Sequence, residues 1–354
     1  MPARQSCGHF FVCHFTGPNW SKISGVDLIT GAIVLLVSMD QGISMEQSPL
    51  FILGAPRSGT TYLASLLKQS RFGAPFETHF VVKYYLRLSR YGKLNEFANF
   101  ESLLKDIFKE RAVQQWRLDF DPRAWFEELG EELGEDFGYA AIAEKVCRLA
   151  ARKQGAECWG DKTPGYLTQL QHIDRLYPKA RYIYIVRDGR DVAQSLLQKD
   201  WGPNNLMVCA DYWKDYNRDD SRLITLAEQG RLYSIRYEDL LADVETHTEE
   251  IYRFLGETFD AEALQSVMGE AKSDNCYKWK STLTERQVQL FERTAGDTLR
   301  RFGYEATQKE QGLSIGLSGY WRLHDFMCRM KFLFTTNVID GVKIRFFGKE
   351  PFAS

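Results

Sequence analysis

No two cysteines in this 354-residue chain are spaced C-x-x-C, and the seven present are scattered and odd in number. That excludes a disulfide framework and a structural zinc site, and it points to reduced thiols in a cytoplasmic protein. The six histidines show no metal-ligand spacing, so no metal is expected. Excess charge is missing as well: 45 Lys+Arg against 47 Asp+Glu leave a net −2. Such a balance does not favour a polyanionic partner, so no nucleic acid is expected. An anion would have to be held by a few placed side chains and a helix terminus. Long apolar runs are scarce too. Ile23 to Met39 is fairly apolar, but it is short for a membrane span and carries Asp27, and no other stretch is long and apolar enough. A secretory signal is weakly supported there. The expectation is a folded domain starting near Met45, with residues 1–44 as an extension and a membrane anchor as the alternative.

What remains is ordinary in bulk, with 44% apolar and 26% charged residues, as in soluble globular proteins. The pattern is more specific. Leu50 to Leu53 is a short apolar run that stops at Gly54, and a helix-compatible segment follows to about Lys68. "RYIYIVRDGRDVAQSLLQKD" repeats the arrangement: Tyr182 to Val186 is β-rich and a helix follows from about Arg190. "RLYSIRYEDLLAD" is strand-like through Ile235 and turns at Glu238. Between these units, Ile142, Val146 and Leu149 recur at helical spacing, and "AECWGDKTP" is a short strand halted by Pro164. Strands alternating with helices predict an α/β fold, a mostly parallel sheet with helices on both faces. Residues 85–150 are helical and aromatic, a cap over a cleft on the acceptor side. The acidic run "EELGEELGED" within them is expected to be a solvated helix face. The domain is expected to cover 45–306, followed by a tail over 307–354.

Two stretches carry candidate chemistry. In "GAPRSGTT" the spacing Gly54 to Gly59 is that of a phosphate-binding loop, with Thr60 where the ATP- and GTP-binding version places its lysine. Backbone N–H groups from Arg57 to Thr61, the two threonine hydroxyls and the Arg57 guanidinium make an anion cradle at a helix start. Taken alone, such a loop is also a common structural turn. In "IVRDGRDVAQS" an arginine at a strand end, Arg187, precedes Ser195 by eight residues. Ends of parallel strands line the ligand crevice of such sheets, so this pair suits a second phosphate. A surface Arg–Asp network is the alternative for that stretch alone.

In that order, "GAPRSGTT", "IVRDGRDVAQS" and "IRYEDL" resemble the sulfotransferases that use 3′-phosphoadenosine 5′-phosphosulfate (PAPS), over roughly Pro49 to Tyr304. The resemblance implies a P-loop NTPase-like sulfotransferase fold and a donor that needs no magnesium and has no γ-phosphate for a loop lysine to reach. It implies that Arg57, Ser58, Gly59, Thr60 and Thr61 contact the 5′-phosphosulfate, and that Arg187 and Ser195 hold the 3′-phosphate. Tyr237 would lie near the adenine. In the stretch from Cys276 to Tyr304, which is similar to the family's donor-closing loop, Lys278 or Lys280 would reach the 3′-phosphate. On the acceptor side, "PFETHF" resembles the branch with an E-x-H-F segment. Glu77 and His79 are two apart and face the same way if extended, so Glu77 is the expected base with His79 assisting, the reverse being the alternative. A salt bridge or capping role for Glu77 is the structural alternative. Lys162, in "DKTP", would contact the sulfonyl group or the bridging oxygen, and with Arg57 and the loop amides it would stabilise the leaving nucleotide in catalysis. The implied acceptor is a small molecule, a lipid or a carbohydrate, with a hydroxyl and less readily an amine. A nucleotide-dependent kinase and a non-catalytic binder of 3′-phosphoadenosine 5′-phosphate (PAP) are the rival functions. In the tail, Leu323, Met327, Met330 and Phe334 lie at helical spacing. Packing of that stripe on its own domain is expected, with peripheral membrane contact through this C-terminal helix as the alternative.

Overall fold

The computed structural model describes residues 48–134, 137–199, 201–218, 221–269, 275–311 and 315–334. The N-terminal extension and Phe334's side chain lie outside what it describes. Strand β1 (Leu50–Leu53) leads into α1 (Thr60–Leu66). Helices α2 (Phe80–Tyr85), α3 (Phe97–Phe108), α4 (Arg111–Gln115), α5 (Pro122–Leu133) and α6 (Tyr139–Lys153) follow. Next come β2 (Gly160–Asp161), α7 (Leu170–Leu176), β3 (Arg181–Val186), α8 (Gly189–Leu197), α9 (Leu206–Tyr216) and α10 (Ser221–Glu228). The chain continues with β4 (Leu232–Arg236), α11 (Tyr237–Ala242), α12 (Val244–Leu255) and α13 (Ala261–Met268). The last described elements are α14 (Trp279–Thr282), α15 (Glu285–Arg301) and α16 (Ile315–Phe334).

The four strands are parallel in the order β2-β1-β3-β4. From β1 the chain crosses to β2 on one side and then returns to β3 on the other. The strand order therefore reverses between β1 and β3, and a crevice opens at their carboxyl ends. Leu53 pairs with Tyr184 there, so both strands deliver their following loops to the same rim. Both faces of the sheet are covered, and so β1 and β3 are near-continuous apolar runs. Phe51, Leu53, Tyr182 and Tyr184 pack on one face with the cap helices, α6, α8, α9 and α15. Leu50, Ile52, Ile183 and Ile185 pack on the other with α1, α11 and α12. Phe51 is the hub of the first face, stacked on Tyr182 at 5.8 Å and edge-on to Trp159 at 5.5 Å.

Helix ends follow local chemistry. Asp121 caps α5 with Pro122 in the first turn, Asp243 caps α12, and Thr284 with Gln287 closes a capping box on α15. The α5 glutamates are exposed on a solvated face, and Glu135 and Asp136 lie outside the described residues. On α6, Ile142 and Val146 are fully buried and Leu149 packs against the same core.

The tail departs from expectation. Helix α16 docks on α9 by its polar side: the Asn204 backbone N–H donates to Asp325 at 2.7 Å, and Asn205 Nδ2 donates to the Trp321 carbonyl at 3.0 Å. Leu323, Met327 and Met330 consequently face outward, 60%, 61% and 47% exposed. The stripe does not pack on its own domain because hydrogen bonds, and not the apolar face, fix the helix's rotation. No helix among the described residues is long and apolar enough to cross a membrane.

Candidate active site

Glycine geometry shapes the loop after β1. A Cβ on Gly54 would stand 2.7 Å from the Ile185 carbonyl oxygen of β3, so the chain leaves the strand flush against its neighbour. Gly59 has φ +95°, and a Cβ there would meet the Tyr237 ring at 2.3 Å. Arg57 also has positive φ, 73°, which turns its side chain out of the loop and across the crevice. Its Nε donates to Ser195 Oγ at 2.9 Å, joining two positions 138 residues apart. Ser58 is fully buried; its backbone N–H donates to the Ala55 carbonyl and its Oγ has no partner.

Arg187 completes the link. Its Nη1 donates to the Arg57 carbonyl at 3.1 Å and its Nη2 to the Asn275 carbonyl at 2.5 Å. Its guanidinium lies over the Tyr237 ring at 4.7 Å from the centroid, a cation–π contact. The strand end is pinned by the Trp213 indole N–H, which donates to the Arg187 carbonyl at 3.1 Å. Arg57, Gly59, Thr60, Thr61, Arg187, Ser195, Tyr237 and Lys278 line one cavity of about 310 Å³. Among the described residues three cations, Arg57, Arg187 and Lys278, face it against one carboxylate, Asp191, so it suits an anion. Lys280 is not in its lining: its ammonium sits over the Tyr277 ring at 4.9 Å and the Trp279 ring at 5.8 Å. Gln194, Gln198, Asp191 and Asn275 also line the cavity and were not singled out from the sequence. Asp191 and Gln194 on α8 and Gln198 at its C-cap follow Arg187 at helical spacing, which the sequence shows. Asn275 lies 88 residues from Arg187 and carried no signal.

A second cluster adjoins the loop. Lys162 Nζ donates to Glu77 Oε1 at 2.6 Å and stands 3.4 Å from Thr61 Oγ1. The other Glu77 oxygen meets His79 Nε2 at 2.8 Å. The two side chains do share a side, but not through a regular strand: His79 has φ 52° and sits at the N-cap of α2. The His79 hydrogen bond, aided by Lys162 and opposed by partial burial, holds the Glu77 carboxyl at about 2, below its usual 4.5. The same bond raises the His79 imidazole above 6.5. In this state Glu77 is ionised and a weak base, its charge shared by two neighbours.

The model of the sulfotransferase family matches residues 49–261, more than half of the chain, and the chain belongs to that family. It is 28% identical over 160 residues to the omega-hydroxy-beta-dihydromenaquinone-9 sulfotransferase of Mycobacterium bovis, over 41% of this chain and 40% of that one. It is 30% identical over 165 residues to a nodulation protein of Sinorhizobium fredii, over 45% of this chain and 34% of that one. The matches thus span well under half the length of these relatives. Among solved structures, the sulfotransferase domain of the Synechococcus olefin synthase aligns with TM-score 0.48 and 22% identity, over 74% of this chain and 97% of that one.

Proposed function

We propose that this enzyme transfers the sulfonyl group of PAPS to a hydroxyl, and less readily an amine, of a small-molecule, lipid or carbohydrate acceptor. The observation that carries this is the merging of two anion-binding loops, through Arg57, Ser195 and Arg187, into one cationic cavity. A donor with phosphates at both ends of a nucleoside calls for two such sites within one ligand's length. The loop amides, Ser58, Thr60, Thr61 and Arg57 would take the 5′-phosphosulfate. Arg187, Ser195 and Lys278 would take the 3′-phosphate, and Tyr237 the adenine.

The step is an in-line displacement. The acceptor oxygen forms a bond to sulfur, the bond from sulfur to the phosphate oxygen breaks, PAP leaves, and the acceptor proton passes to Glu77. Proton removal by Glu77 requires Lys162 to turn from it to the sulfonyl or bridging oxygen. That movement removes one of the two contacts that depress Glu77, which makes it a stronger base, and stabilises the charge growing on the leaving phosphate. His79 orients Glu77 in this scheme. The catalytic unit is assigned to 45–306, with 85–150 over the acceptor, and its scattered cysteines support a cytoplasmic setting.

Thermal unfolding with PAP, and separately with ATP plus magnesium, tests the donor. A ligand at a hundred times its dissociation constant adds about 2.7 kcal/mol, visible as a raised midpoint. The expected result is a shift with PAP alone that is lost in Arg187→Ala. A shift with ATP and magnesium but not PAP would replace sulfonyl transfer by kinase chemistry.

A further inference from the structure

We propose that Asp161 is the positioning residue of this site: its carboxylate clasps the two loops that carry Glu77 and Lys162 and so sets their contact. This deepens the sulfonyl-transfer assignment above and rests on it. Asp161 ends β2, is 1% exposed, and touches neither Glu77 nor Lys162 through its side chain. Around it the segment bearing Glu77 joins the sheet edge. Phe76 forms a parallel bridge with Asp161, the Phe76 N–H donates to the Gly160 carbonyl at 3.3 Å, and the Lys162 N–H donates to the Phe76 carbonyl at 2.9 Å.

The side chain then ties down the far side of each loop. Oδ1 accepts from the Thr163 N–H at 2.6 Å. Oδ2 accepts from the Thr78 N–H at 2.9 Å and from Thr163 Oγ1 at 2.9 Å. Thr163 Oγ1 lies 3.1 Å from the Thr78 N–H and 3.4 Å from the His79 N–H, both of which donate to it. Each reacting side chain is therefore flanked on both sides by bonds that cross between the loops. Glu77 sits between Phe76 and Thr78, and Lys162 between Asp161 and Thr163.

Two backbone N–H groups and the Thr163 hydroxyl donate to this side chain, and a carboxylate, which only accepts, takes all three. Asparagine, of the same shape, would turn an N–H group against an N–H group. Burial pushes the Asp161 carboxyl up to about 6 in spite of its donors. An acid whose folded value exceeds its unfolded one costs stability wherever it is ionised, hence at neutral pH. A charge that the fold holds at such a cost is well explained by what it positions. A displacement of about 1 Å between reacting groups can cost about a hundredfold in rate.

The test uses the full chain as wild type, Asp161→Asn, Thr163→Val and Thr163→Ser. One readout needs no acceptor: the His79 imidazole titration by proton NMR, assigned with His79→Gln. The other is turnover of radiolabelled PAPS with phenol, hexanol or glucose as acceptor. In Asp161→Asn and Thr163→Val the His79 pKa should fall back towards its ordinary value. Turnover should drop about a hundredfold, while the KM for PAPS and the PAP-induced rise in midpoint stay as in wild type. Thr163→Ser, which keeps the hydroxyl, should retain both. A merely structural role would lower the midpoint without this separation of turnover from donor binding. Should Asp161→Asn fail to fold, Thr163→Val decides. A folded variant with the wild-type His79 titration and wild-type turnover overturns the clasp. Wild type that binds no PAP would instead sink the sulfonyl-transfer assignment, and the NMR titration alone would then decide the clasp.

Discussion

Glu77 has both carboxylate oxygens engaged, one by Lys162 and one by His79, and this pairing makes its chemistry measurable. Glu77→Gln keeps the shape and removes the base, so turnover should fall by about 10² to 10⁴. The PAP-induced shift in midpoint should persist, because Glu77 does not line the donor cavity. Normal turnover in that variant would transfer the role of base to His79. Stability gives a second measure. The Glu77 carboxyl is depressed to about 2, so its stabilisation is present above pH 4.5 and is lost as the pH falls towards 2. The His79 imidazole is raised, so its share is present below pH 6.5 and is lost as the pH climbs through the raised value. The midpoint difference between wild type and Glu77→Gln should therefore be largest between about pH 4.5 and 6.5. A difference that stays flat from pH 3 to 8, tracked by differential scanning fluorimetry, would contradict the pairing.

At the scale of elements, the loop after β1 and helix α16 make contrasting demands on the chain. Gly59 needs both a left-handed backbone and the space that its missing Cβ leaves for Tyr237. Gly59→Ala should cost about 1–3 kcal/mol and abolish the PAP shift, since the loop and the ring cannot both keep their places. An unchanged PAP titration would show that the loop is not the donor cradle. On α16 the inward and outward faces should respond in opposite ways. Asp325 is buried, accepts from Asn204 and pairs with Arg329 at 2.8 Å. Asp325→Ala should destabilise by about 1–3 kcal/mol in urea unfolding. Leu323→Ser and Met327→Ser, on the exposed face, should stay within about 0.5 kcal/mol of wild type. The spacing of Leu323, Met327 and Met330 gave the helix correctly and its orientation wrongly. Periodicity marks which residues share a face but not whether that face is turned in, and here Asn204 and Asn205 decide.

The whole molecule hangs on the central strands. Phe51 contacts Tyr182, Trp159, Tyr166 and Tyr177 and is fully buried, so Phe51→Ala should cost about 3–5 kcal/mol. A loss below about 1 kcal/mol by chemical denaturation would place the core elsewhere.

Much of this architecture is written locally. The strand-like run through Ile235 and the short strand before Pro164 mark β4 and β2, and the apolar runs ending at Leu53 and Val186 mark β1 and β3, because side chains buried on both sheet faces leave no room for polar alternation. The same runs place Arg57 and Arg187 at strand ends, and the Gly54–Gly59 spacing marks the loop. Tertiary structure decided which strands are neighbours. Only the order β2-β1-β3-β4 brings Arg57 within 2.9 Å of Ser195, and only the bridge from Phe76 to Asp161 sets Glu77 against Lys162, 85 residues away. Lys278 and Lys280 stood level in the sequence, and the turn before α14 alone put the first in the cavity and the second over two aromatic rings. Local sequence fixes φ, ψ and the period of burial, whereas contacts between distant segments arise from how whole elements share a core. A site assembled at a reversal of strand order therefore exists only once the sheet has formed.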